Sequence, residues 1–283
     1  MKINQSSTIN RQLRIVFFGS RHIHSILREL DENFELKLVV TTDAGIVNFA
    51  KAEGCPYAQV LKIDSNLVKA IKDLEPDLGV DADFGLIIPQ ELMDIFPHGI
   101  LNVHPSLLPL YRGPTPVQTA LLNGDSVTGI SIIKIDEELD HGPILYQEEY
   151  DIKPDDFTEK LLNNLFTRAG EILPDLITEY VDGKLNLEPQ NDDKATYTNI
   201  LKKEDGFIDL DNPPEKRKLE KMINALSPWP GVWTRFKLTD KELIIKLHPM
   251  NFIHVEGKKP MSYKDFKNGY EKGEEFLKKL NLM

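Results

Sequence analysis

The feature that most constrains this chain is an alternation: short apolar, β-rich runs repeatedly give way to stretches of helical period. Leu13-Arg14-Ile15-Val16-Phe17-Phe18 is such a run, closed by Gly19-Ser20 and followed by a helical pattern to Leu30. A second run at 35–40 precedes helical stretches at 44–54 and 64–74. Further strands are predicted at 77–81, Ile100–His104, 130–135 and 144–150, ahead of a long amphipathic helix at 156–180. Alternation of this kind covers both faces of a sheet with helices, so the pattern predicts an α/β, Rossmann-like, mostly parallel sheet. Ligands of such sheets sit beyond the carboxyl ends of the strands, and His104 stands at one of these ends.

The rhythm changes after the turn Asp182-Gly183-Lys184. Residues 190–198 are polar and read as a linker, which divides the chain into domains at 1–197 and 198–283. Beyond it come a helix at 214–226, the punctuation Ser227-Pro228-Trp229-Pro230-Gly231, β-like runs at 232–237 and 242–247, and a last helix at 269–280. Between Trp233 and Gly257 there is room for about two strands, so the second domain is expected to be small and β-rich, a reduced OB-like barrel.

Composition narrows the function classes. No run approaches the roughly 20 apolar residues that cross a bilayer, and residues 1–10 are polar without an apolar signal core. The single cysteine, Cys55, excludes an internal disulfide framework and a multi-cysteine metal site, so a reducing, cytoplasmic setting is expected. Residues 199–283 carry 17 Lys and Arg against 13 Asp and Glu, whereas residues 1–198 carry 17 against 32. A basic tail on an acidic body can hint at a polyanionic partner, though charge alone favours an ordinary solvated lysine surface. Gly19-Ser20-Arg21-His22-Ile23-His24 lacks the second and third glycines of a dinucleotide loop and is not read as a nucleotide site.

Chemistry concentrates in two segments, residues 102–113 and 136–143. On a strand, Asn102 and His104 point to the same side. An amide there can steady developing oxyanion charge, and an imidazole, which ordinarily titrates near 6.5, can accept or relay a proton. A carboxylate such as Asp140 can orient the imidazole or hold a water. Together they form a minimal acyl-transfer site without a covalent nucleophile. Spacing alone does not separate this from a loop histidine, a strand-end asparagine and an Asp-His-Gly-Pro turn.

Asn102-Val103-His104-Pro105-Ser106-Leu107-Leu108-Pro109-Leu110-Tyr111-Arg112-Gly113, the turn through Gly124-Asp125 and Thr128-Gly129, and Asp140-His141-Gly142 follow in order over roughly residues 13–235. Together they resemble the folate-dependent formyltransferase family. The resemblance implies that Asn102, His104 and Asp140 are the catalytic trio and that Ser106, Leu107, Leu108 and Pro109 form the loop against the folate. It further implies that 10-formyltetrahydrofolate is the formyl donor, that no metal takes part, and that Phe84-Gly85-Leu86-Ile87-Ile88-Pro89 walls the pterin slot.

Within the family, Ala225-Leu226-Ser227-Pro228-Trp229-Pro230-Gly231 and Glu256-Gly257-Lys258-Lys259-Pro260-Met261 resemble the members that formylate charged initiator tRNA. A monomer acting on the amino group of methionyl-tRNA is the expectation; formylation of a nucleotide-linked amino sugar is the alternative. Lys202, Lys203, Lys216, Arg217, Lys218, Lys258 and Lys259 are the candidate phosphate contacts. Three departures stand out. Thr41-Thr42-Asp43-Ala44 carries no basic insertion, Glu138 and His141 flank Asp140 in place of smaller residues, and Asp83 replaces a small apolar residue.

Overall fold

A computed structural model describes residues 13–238 and 241–283. The polar stretch 1–10 lies outside the described residues. The chain divides into two compact units, one comprising Met1–Pro114, Gly129–Tyr150 and Leu162–Tyr197, the other Thr115–Thr128, Asp151–Leu161 and Thr198–Met283.

The first sheet has seven strands: β1 (Arg14–Gly19), β2 (Glu35–Thr41), β3 (Tyr57–Gln59), β4 (Leu78–Ala82), β5 (Ile100–His104), β6 (Val127–Lys134) and β7 (Ile144–Asp151). Their order is β3-β2-β1-β4-β5-β6-β7. The pairings from β3 through β5 are parallel, and β6 joins β5 antiparallel. Ile15, Val16, Phe17 and Phe18 of β1 are all fully buried, as a strand covered on both faces requires. The edge strand β3, only three residues long, escaped the sequence reading.

The helices up to residue 181 in chain order are α1 (His24–Asn33), α2 (Ala44–Glu53), α3 (Ser65–Asp73), α4 (Gln90–Met93), α5 (Pro116–Asn123), which belongs to the second unit, and α6 (Thr158–Val181). Asp43 and Asp64 cap α2 and α3, each carboxylate accepting from two backbone N–H groups of the first turn. Gly54, at φ 77°, closes α2 in the left-handed region. Helices and sheet meet in an apolar cluster that includes Val16, Phe18, Leu67, Ile71, Phe84, Phe96 and Ile100.

The second sheet is antiparallel, with strands β8 (Val232–Phe236), β9 (Leu243–His248), β10 (Phe252–Val255) and β11 (Met261–Ser262) in the order β11-β10-β9-β8. Three strands, β8, β9 and β10, occupy the stretch up to Gly257 where about two were expected, and β11 follows beyond it. Met250 and Asn251 both take positive φ and turn the chain without a glycine to announce it. The helix expected at 269–280 is the shorter α9 (Gly273–Lys279); α8 (Tyr263–Gly269), which was not expected, precedes it across a break, and α7 (Lys216–Leu226) comes earlier in the chain. The break lets the fully buried rings Phe266 and Phe276 meet at 5.6 Å and Phe276 reach Phe236 at 5.1 Å.

Candidate active site

β5 presents Asn102 and His104 on one side of the first sheet, and the turn between β6 and β7 brings Asp140 to them. Asn102 Nδ2 donates to Asp140 Oδ1 at 3.3 Å, and the Gly113 N–H donates to Asp140 Oδ2 at 2.6 Å. His104 Nδ1 stands 3.7 Å from the same Oδ2. Its other nitrogen, Nε2, lies 3.0 Å from the Tyr111 carbonyl oxygen, which can only accept. The proton of the neutral imidazole therefore sits on Nε2. Nδ1 keeps a lone pair beside Asp140, and protonation there makes an ion pair with it. His104 is 4% exposed, so both interactions work at reduced dielectric.

Asp140 adopts φ 49° to make this approach. Two residues on, a Cβ at Gly142 would collide with the Lys134 carbonyl oxygen, so glycine is required for the turn to return to β6.

Residues 190–198, expected to be a linker, instead scaffold this site. Gln190 Nε2 donates to the carbonyls of Asp140 and Gly142, both at 2.8 Å. Its Oε1 accepts from Arg112 Nε and Nη2 at 3.1 and 2.8 Å. Arg112 is 1% exposed and also donates to Asp192 Oδ1 at 2.7 Å and Tyr197 Oη at 3.2 Å. Thr196 exchanges backbone bonds with Pro109 and Arg112. Arg112 lay inside the recognised segment, but nothing in the sequence says that residue 190 returns to it. Only the tertiary pairing reveals the clamp.

The four loop residues divide. Ser106 is fully buried and donates to the Leu110 carbonyl at 2.6 Å, and the buried Leu108 bonds through its N–H to Ser131 Oγ and through its carbonyl to Gln147. Leu107 and Pro109 keep exposed surface. In the 84–89 segment Phe84 and Ile88 are buried while Ile87 is 91% exposed. His141 is paired with Asp136 Oδ2 at 2.6 Å and lies 3.5 Å from Asp192. Its hydrogen bond to Asp136 holds it above the usual histidine range. Burial pushes the Asp83 carboxyl up, and Arg21 Nε at 3.8 Å partly offsets that. Among the described residues no group of three or more His, Cys, Asp or Glu is arranged to hold a metal ion, and no helix is long and apolar enough to cross a membrane.

In the second unit all seven candidate basic residues are exposed. The outward face of the small sheet adds residues the sequence reading missed: Trp233, Arg235, Lys246, His248, Phe252 and His254 alternate with buried neighbours along β8, β9 and β10. Phe207 packs on the Trp233 ring at 4.9 Å, and Lys203 Nζ lies 5.2 Å from its centroid. Basic and aromatic side chains share one face.

The chain is similar to the methionyl-tRNA formyltransferase of Chloroflexus aggregans, 38% identical over 237 residues that cover 78% of this chain and 76% of the relative. Among solved structures it resembles a 4-N formyltransferase from Francisella tularensis, with TM-score 0.66, 21% identity and coverage of 85% and 99%. HypX from Aquifex aeolicus in complex with tetrahydrofolic acid gives TM-score 0.63 at 18% identity, covering 83% of this chain and 37% of that longer one. The formyl transferase family matches residues 15–177, the stretch that carries Asn102, His104 and Asp140, and the chain belongs to that family.

Proposed function

We propose that this protein transfers the formyl group of 10-formyltetrahydrofolate to the amino group of methionyl-tRNA in the cytoplasm. The observation that carries the reading is the convergence on Asp140 of Asn102, Gly113 and His104. In this reading residues 1–197 perform the transfer and residues 198–283 hold the acceptor.

The amine nitrogen attacks the formyl carbon and a C–N bond forms. The carbonyl oxygen gains negative charge, which the second N–H of the Asn102 amide stabilises. His104 Nδ1 takes the proton that the amine sheds, and Asp140 stabilises the resulting imidazolium. The bond from the formyl carbon to N10 of the folate then breaks, and N10 takes that proton. The products are the formamide and tetrahydrofolate. Leu107, Pro109 and Ile87 offer the apolar surface a flat pterin ring needs.

The basic, aromatic face of the small sheet supports an RNA acceptor, since lysine and arginine neutralise phosphates and rings stack on bases. The amino-sugar alternative has in its favour the direct passage from β2 to α2 without a basic insertion. Homology weighs against it: the relative that matches at 38% identity formylates methionyl-tRNA by name. The protein, incubated with 10-formyltetrahydrofolate and either methionyl-tRNA or a panel of amino-sugar nucleotides, is expected to formylate the tRNA. Formylation of a sugar alone would overturn the reading.

A further inference from the structure

One carboxyl beside the trio has no part in this mechanism. Asp81 on β4 stands in register with Asn102 on β5, and residues paired in this way share a face of the sheet. On its other side Asp81 is in register with Phe18 of β1. Asn102 in turn hydrogen-bonds Asp140. Two carboxyls therefore flank a single amide.

We propose that Asp81 is a positioning residue of the transfer site, whose carboxyl keeps a proton so that it and Asp140 hold one negative charge between them beside Asn102. The inference rests on the formyl-transfer reading above. Its physical basis is that two like charges in one partly buried site do not both ionise. Which member keeps the proton follows from the surroundings. Asp140 receives the Asn102 amide and the Gly113 N–H and faces His104. Asp81 has the Phe84 backbone N–H on one side and apolar neighbours on the other: Phe18, and Phe84 packed on it at 5.5 Å.

The charged groups facing Asp81 are Asp140 from the β6–β7 turn and Asp83 from the end of its own strand. Arg21 lies beside Asp83 and His104 beside Asp140. Burial, then the charges of Asp140 and Asp83, push the Asp81 carboxyl up to about 8. Below that pH the neutral acid leaves Asp140 as the single anion for His104. Above it a second negative charge stands where the oxyanion must grow, and transfer slows.

The test has two arms. In protein carrying ¹³C at its aspartate carboxyls, one resonance, absent from Asp81→Asn, is expected to titrate with a midpoint near 8. In Asp140→Asn the same midpoint should fall, because the neighbouring charge is gone; this assigns the resonance even if Asp81→Asn does not fold. A midpoint near the ordinary aspartate value of about 4, or one unmoved by Asp140→Asn, overturns the proposal. In the second arm, kcat/KM for methionyl-tRNA should fall about tenfold per pH unit above the midpoint. Asp81→Asn, neutral at every pH, should lack that alkaline fall, and superimposable pH profiles overturn the proposal. Failure to formylate any amine would sink the functional reading instead, while the resonance still decides the state of Asp81.

Discussion

In the proposed reading the two sheets of this protein put function in different places. In the first, β1 is buried on both faces, so neither face has anything to show a ligand. Asn102, His104 and Asp140 converge where β5 runs out into loops. In the second, buried and outward residues alternate: Ile245 and Leu247 of β9 are buried, and Lys246 between them is exposed. There the face itself is the surface on offer. A parallel sheet under helices works at its strand ends, and an antiparallel sheet with one covered face works across the other. The comparison implies that damage to the first sheet's loops removes turnover, whereas damage to the second sheet's face weakens acceptor binding.

The largest expected effect lies at the strand ends. His104→Ala and Asp140→Asn should each lower kcat by about 10²- to 10⁴-fold in a folded protein. Near-normal turnover in either, with folding confirmed by circular dichroism, would remove the proposed chemistry.

A smaller loss is expected from the clamp. Gln190→Ala strips two donors from the 140–142 turn and an acceptor from the buried Arg112 guanidinium. It should cost about 1–3 kcal/mol in denaturant unfolding and about 10- to 100-fold in kcat, since a slightly misplaced Asp140 no longer meets His104. A loss of stability with turnover intact would show that the clamp holds the fold and not the site.

The smallest effect belongs to the outward face. Replacing Arg235 and Lys246 by alanine should weaken methionyl-tRNA binding several-fold and flatten its salt dependence by about one unit of slope for each phosphate no longer neutralised. kcat at saturating tRNA should hold. A fall in kcat, or an unaltered salt slope, would break the proposed division between the sheets.

Much of the fold was legible in local pattern. The apolar run ending at Gly19, the capped starts of α2 and α3 at Asp43 and Asp64, and the long helix α6 are written in contiguous residues. Less was legible where the chain turns without glycine, as at Met250-Asn251, or where the short helix α8 brings Phe266 against Phe276 of α9. Of the site, Asn102 and His104 were readable as a pair because a strand's period of two puts them on one side, and family resemblance pointed to Asp140.

The sequence by itself determined the α/β order and the family and pointed to the candidate trio, because each is carried by short-range periodicity or by contiguous motifs. Only the tertiary structure decided which nitrogen of His104 faces Asp140, that residue 190 returns to brace the 140–142 turn, and that Asp81 stands beside Asn102 in strand register. These pairs lie 36, 50 and 21 positions apart in the chain. No local propensity encodes them, since such a separation becomes a distance only after the strands have paired and the loops have closed.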